Sequence, residues 1–124
     1  MKNLGKHFDY QGLDPVMHER ARLSILSCLT SSGVQATFGD LKELCSLTDG
    51  NLNRHLFALE QDGIVQIEKR QRGNRSVTLV SLTDAGRKRF LDYVEHLDSL
   101  VRESLQALRP GRAAVPRALG MTEN

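Results

Sequence analysis

The stretch Ser46–Gly63, read SLTDGNLNRHLFALEQDG, constrains the fold more than any other part of the chain. Thr48 is an N-cap by residue type, because its hydroxyl accepts from the free N–H groups of a first helical turn. Leu52, Leu56 and Leu59 follow at i, i+4 and i+7, the apolar stripe of an amphipathic helix. Gly63 then stands where a helix ends in a left-handed C′ residue. Opposite the leucines, Gly50, Asn51, Arg54, Ala58 and Gln61 point outward. Asn and Arg are the side chains that pair bidentately with adenine and guanine edges in a DNA major groove, so this stretch predicts a helix whose outer face reads bases. His55, nearer the edge of the leucine stripe, is placed to support the helix or touch a phosphate as readily as to read a base.

What precedes this helix fits that reading. Thr37 opens a shorter helix with Asp40 at N3, a capping-box variant. Phe38, Leu41, Leu44 and Cys45 form its expected inner stripe, and Ser46-Leu47-Thr48 leaves only a tight turn between the two. Two short helices so joined make a helix-turn-helix, whose second member enters the major groove. Further upstream, Asp14-Pro15 reads as N-cap and N1 of a helix running to about Ser31 and stopped by Ser32-Gly33. Val16, Leu23, Ile25, Leu26, Cys28 and Leu29 give it a broad apolar face.

After Gly63 the apolar period falls from 3.6 to 2. Ile64, Val65 and Ile67, then Val77, Leu79 and Leu82, suit two short strands, with Gly73-Asn74 supplying positive φ at a hairpin tip. Lys69, Arg70, Arg72 and Arg75 surround that tip. The whole chain carries 17 Lys and Arg against 15 Asp and Glu, net +2. A uniformly cationic coat is therefore excluded, and the clustering itself is informative. A basic hairpin after a helix-turn-helix is a wing, set to follow a phosphate backbone or dip into a minor groove. The bland reading of these cations is a solvated edge that discourages aggregation.

Thr83 caps a last long helix reaching about Leu108, before Arg109-Pro110-Gly111. Phe90, Val94, Leu97, Val101 and Leu108 line one stripe, interrupted at Ser104 and widened by Leu91, Leu100 and Leu105. A chain of 124 residues builds one small domain, and this stripe exceeds what that domain can cover, so part of it is expected to pair with a second subunit. The expected organisation is mainly α with a small β-hairpin: an arm at 1–13, a winged helix-turn-helix at 14–83, a dimerisation helix at 84–108 and a patternless, disordered tail at 109–124.

Other chemistry finds little footing. No nucleophile sits at fixed spacing from a base, and no Gly-rich loop cradles phosphate, so an enzyme is not expected. His18, Glu19, Asp92, Glu95, His96 and Asp98 show no CxC or HxxxH spacing, and no metal or other cofactor is expected. Cys28 and Cys45 read as reduced, buried helix residues without cations to activate a thiolate. The opening MKNLGKHFDYQG lacks an apolar signal core and no run approaches ~18 apolar residues, so a cytoplasmic chain is expected.

The segments LDPVMHERARLSILSCL, FGDLKELCSLTDGNLNRHLFALEQDGIVQIEK and VTLVSLTDAGRKRF together closely resemble the small stand-alone winged-helix transcriptional regulators related to the MarR and ArsR groups. The resemblance spans roughly Leu13–Leu108 and is most specific in the middle segment. It implies a homodimer on double-stranded DNA with a pseudo-palindromic operator, most simply a repressor. It also implies that Thr48, Asp49, Gly50, Asn51, Asn53, Arg54 and His55 lie at or near the DNA. The alternatives are a winged helix used for protein contacts, which a polar Asn/Arg face and a basic wing disfavour, or a metal- or redox-responsive sensor of the same fold. A small effector that changed the angle between the dimerisation helices would alter the spacing of the two reading heads, but no residue pattern names one.

Overall fold

Three helices of this chain end in the same hydrogen-bond pattern, and those endings set the turns that arrange the fold. The structure is a computed structural model, and it describes residues 12–110. The expected arm and tail therefore lie, but for their inner ends, outside the described residues.

The first helix, α1 (Arg20–Ser31), is followed by β1 (Gln35–Thr37), α2 (Phe38–Leu44) and α3 (Asp49–Gln61). A hairpin of β2 (Val65–Arg72) and β3 (Arg75–Leu82) leads into the long α4 (Asp84–Leu108). After α1, α2 and α3 the C″ amide donates to the C3 carbonyl: Val34 to Leu29 at 2.7 Å, Leu47 to Lys42 at 3.0 Å and Ile64 to Leu59 at 2.9 Å. This is the Schellman closure, which needs a left-handed C′ residue. Gly33 (φ 80°) and Gly63 (φ 73°) supply it after α1 and α3, while Ser46 (φ 55°) carries it in the turn between α2 and α3.

The expected caps are present. Thr37 accepts from the Asp40 amide at 3.0 Å and Thr48 from the Asn51 amide at 3.2 Å. Thr83 accepts from the Gly86 amide at 2.8 Å. The start of the first helix, by contrast, differs from expectation. Asp14 closes only a single turn, accepting from His18 N–H at 2.8 Å through its carbonyl and from Val16 N–H at 3.0 Å through Oδ1. The helix begins six residues later, with Glu19 as N-cap to the Arg22 amide. The other Asp14 oxygen is held by Arg89 at 2.8 and 3.1 Å, and Met17 is wholly buried behind the turn. A tertiary ion pair and a buried methionine thus redirect a good local helix start.

The sheet has three strands, not the expected two, in the order β1-β3-β2 and antiparallel throughout. Ala36 opposite Val80 centres the added strand, and Val65 opposite Leu82 starts the hairpin register. Arg72 faces Arg75 across the two-residue turn, where only Gly73 (φ 59°) has positive φ. A positive φ at the first central residue alone is the pattern of a type II′ turn.

The core gathers Ile25, Leu26 and Leu29 of α1 with Leu41, Leu52, Leu56, Leu59, Ile64 and Val80, all essentially inaccessible. Leu44, expected inside, is 69% exposed; it is the last residue of α2, and of that helix only Leu41 is buried. The chain divides into two compact units, Asp14–Tyr93 and the segments before and after it, so the division falls within α4. Among the described residues no helix is long and apolar enough to cross a membrane.

Candidate nucleic-acid interface

The outer face of α3 is built by the leucines behind it. Leu52, Leu56 and Leu59 are sealed in the core, which leaves Gly50, Asn51, Asn53, Arg54 and Gln61 exposed. Arg54 Nη2 donates to Asn51 Oδ1 at 3.0 Å, so the two candidate base readers are paired and held at one position on the surface. Thr48 caps the helix at its exposed N-terminus, and Asp49 is neutralised by Lys42 at 2.9 Å.

His55 requires a correction. The resemblance implies a place at or near the DNA, yet its side chain is buried, with only 6% of the residue accessible, which leaves the helix-supporting role of the two that its position allowed. Position 55 lies just beyond the Leu59 edge of the leucine stripe, on the side where Arg22 of α1 meets it. Arg22 Nε donates to His55 Nδ1 at 3.3 Å, and Arg22 Nη1 donates to the Val16 carbonyl at 3.0 Å. An imidazole that accepts at Nδ1 carries its proton on Nε2 and is neutral. Burial is the main force pushing its pKa down; the charges of Arg54 and Arg22 add to this, while Glu19, 3.7 Å from Nδ1, opposes it. The Glu19 carboxyl is itself held below the usual range: its own burial acts the other way but is outweighed by the Arg22 and Ala21 amides and by the charge of Arg22. His55 therefore supports α3 from within.

That geometry has a pH consequence. Folding lowers the His55 pKa below its unfolded value, so the unfolded chain binds the proton more readily. The stability contributed by the neutral ring is complete above the unfolded pKa of about 6.5 and is lost as pH falls from there through the folded value. The urea midpoint is expected to drop between about pH 7.5 and about pH 5.5, and to drop less in His55→Gln. Equal slopes in the two proteins would show that His55 is not the group responsible.

In the wing, Lys69, Arg70, Arg72 and Arg75 are all exposed. The strand period puts Arg70 and Arg72 on one face of β2, and the register sets Arg75 opposite Arg72 on that same face. Lys69 points to the other face. Arg70 Nε also meets Glu68 Oε2 at 2.6 Å. Arg72 and Arg75 line an open groove of about 560 Å³, completed by Thr37, Phe38 and Gly39 at the start of α2 and by Ser76, Val77 and Thr78 of β3. Hydroxyl and guanidinium donors thus converge between the wing and the helix-turn-helix.

Some contacts carry no local sequence signal. Arg89 joins Asp14 to Asp62, at 2.8 Å and 3.2 Å, fastening the end of α3 to α4. His18 Nδ1 lies 2.7 Å from the Tyr93 hydroxyl. Cys28 and Cys45, partly accessible, come together, and burial followed by the neighbouring Cys28 raises the Cys45 pKa. On α4, Phe90 stacks on Tyr93 at 6.2 Å and Leu97 is half-buried, whereas Leu91, Val94, Val101, Leu105 and Leu108 stay exposed along the helix.

Two helices joined through a left-handed turn, with a basic hairpin packed in the same unit, define a winged helix-turn-helix. The model of the winged helix DNA-binding domain family matches residues 21–101, and the chain belongs to that family. It is 42% identical over 57 residues to an uncharacterized protein of Methanocaldococcus jannaschii, covering 46% of this chain and 62% of that protein. It is 30% identical over 86 residues to the uncharacterized HTH-type transcriptional regulator YdgJ of Bacillus subtilis, covering 69% of this chain and 51% of that one. The chain thus spans only 62% and 51% of the length of these curated relatives.

Among solved structures, a transcriptional regulator homologue from Pyrococcus horikoshii superposes with TM-score 0.68 at 25% identity, over 82% of this chain and 96% of that one. A MarR family regulator from Silicibacter pomeroyi gives TM-score 0.55 at 28% identity, over 88% of this chain and 68% of that one.

Proposed function

We propose that this chain is a sequence-specific transcriptional regulator that binds a pseudo-palindromic DNA site as a homodimer. The observation that carries the reading is the exposed Asn51–Arg54 pair on the face of α3 opposite its buried leucines. Asn matches the adenine N6/N7 edge and Arg the guanine O6/N7 edge, each pair contributing about 1–3 kcal/mol of discrimination. Arg70, Arg72 and Arg75, together on one wing face, supply the sequence-independent part of the affinity by neutralising phosphates. The groove between Arg72, Arg75 and Thr37 is where a strand of the backbone would pass.

Paired along the exposed stripe of α4, two such units would place their recognition helices in successive major grooves about 34 Å apart. Occupying the site would exclude other proteins from it, which makes repression by occlusion the simplest outcome. Arg54 and Asn51 then choose the bases, the wing holds the backbone, and His55 with Arg22 keeps α3 seated on α1.

The test is a fluorescence-anisotropy titration of wild type and Arg54→Ala against the gene's own upstream region and a scrambled duplex, at several salt concentrations. Wild type should prefer the upstream region, and Arg54→Ala should lose about ten- to a hundredfold per half-site, approaching its affinity for the scrambled duplex. Equal, weak and steeply salt-dependent binding to both probes would reject sequence-specific control of that region. No binding at low salt would move the function to protein contacts.

A further inference from the structure

We infer that Phe57 is a specificity-determining residue of this interface, packing its ring against the 5-methyl group of a thymine in the major groove. The inference rests on the DNA-binding reading above and extends it to a residue that neither hydrogen bonding nor charge would single out. Phe57 is 61% exposed and is the one large apolar side chain of α3 outside the core. A lone exposed apolar residue is ordinary on a protein surface, so its exposure alone says little. Its position says more. At 100° per residue, Gly50, Arg54, Phe57 and Gln61 fall at i, i+4, i+7 and i+11, forming one ridge directly opposite Leu52 and Leu59. The aromatic ring therefore lies on the same line as the guanidinium that is bonded to Asn51.

The chemistry of the groove supplies its partner. Thymine alone presents an apolar group there, and apolar side chains, Phe among them, recognise it by contact. Phe57 is about 4.5 Å farther along the helix axis than Arg54, a little more than one base-pair step of about 3.4 Å. The thymine should therefore lie one to two base pairs from the guanine that Arg54 reads. Gly50, one turn before Arg54, has no side chain to hold the helix away from the bases, and nothing lies within 4 Å of where its Cβ would be.

The experiment selects sites from a random duplex library with wild type and with Phe57→Ala, then replaces each selected thymine by deoxyuridine, which removes only the methyl group. Because the ring is exposed, Phe57→Ala should melt with wild type. Wild type should select a thymine at the stated offset and lose about four- to tenfold in affinity per half-site when its methyl is removed. Phe57→Ala should bind the thymine and deoxyuridine duplexes equally, at the affinity of wild type for the latter, while Phe57→Leu keeps part of the preference. A selected site whose methyl groups affect both proteins alike, or neither, would overturn this inference and leave the regulator reading standing. A wild type that selects no sequence would overturn both.

Discussion

Gly86→Ala should lower the melting temperature by on the order of 10–20 °C, although replacing a helical glycine by alanine ordinarily stabilises. Gly86 is buried in the first turn of α4, where the helix crosses the chain at Ile64. A Cβ there would collide with the Ile64 carbonyl oxygen and lie 2.8 Å from the carbonyl carbon and Cα. These are backbone atoms with nowhere to go. The Ile64 amide is bonded to Leu59 at 2.9 Å and its carbonyl accepts from Thr83 N–H at 3.0 Å. The Thr83 hydroxyl donates to Gly63 O at 2.7 Å while accepting from Gly86 N–H at 2.8 Å.

The methyl group must therefore pry the start of α4 from the C-terminal end of α3. Overpacking against fixed backbone costs about 3 kcal/mol or more, against about 1 kcal/mol of gained helix propensity. Gly50→Ala is the control, since its Cβ would meet nothing within 4 Å and only the propensity gain remains. Calorimetry that finds Gly86→Ala as stable as Gly50→Ala would disprove the close approach.

The second large effect tests the proposed homodimer. Val94 is 41% exposed, and with Leu91, Val101, Leu105 and Leu108 it forms a stripe at three- and four-residue spacing. Asp98 lies in the same stripe, engaged by Arg102 at 2.8 Å. An aspartate at position 94 is already tolerable in the protomer because the side chain reaches water. Buried in a helix-helix seam, the same charge would cost several kcal/mol.

Val94→Asp is thus expected to fold normally and to sediment as a 13.9 kDa monomer. It should bind a two-half-site duplex about 10²- to 10⁴-fold more weakly, because the second half-site contact becomes intermolecular again. Asp92→Lys, on the far side of the helix, should leave assembly unchanged. A Val94→Asp dimer as tight as wild type would remove the stripe from the interface.

Much of the winged helix was legible because its signals are local. Thr37, Thr48 and Thr83 bond to amides three residues on, and Gly63 meets a backbone demand within its own helix end. The leucines of α3 repeat at the helical period, and the basic hairpin is written in consecutive residues. Such interactions are decided by neighbours in the chain, whatever surrounds them. The sites that misled have local preferences outweighed by distant groups. Asp14-Pro15 is a sound helix start, but Arg89 captures the Asp14 carboxylate from 75 residues away and α1 begins at Arg20. Ala36 carries little strand signal of its own, and β3 makes a strand of it.

The candidate site divides the same way. The sequence by itself determined that an amphipathic helix with an Asn/Arg outer face is followed by four clustered cations, since periodicity and composition are properties of the chain. Only the tertiary structure decided that His55 turns inward beneath Arg22, that three wing arginines share one face, and that Gly86 must lack a side chain. Burial, strand register and close backbone approach are relations between segments far apart in the chain, and no single segment carries them.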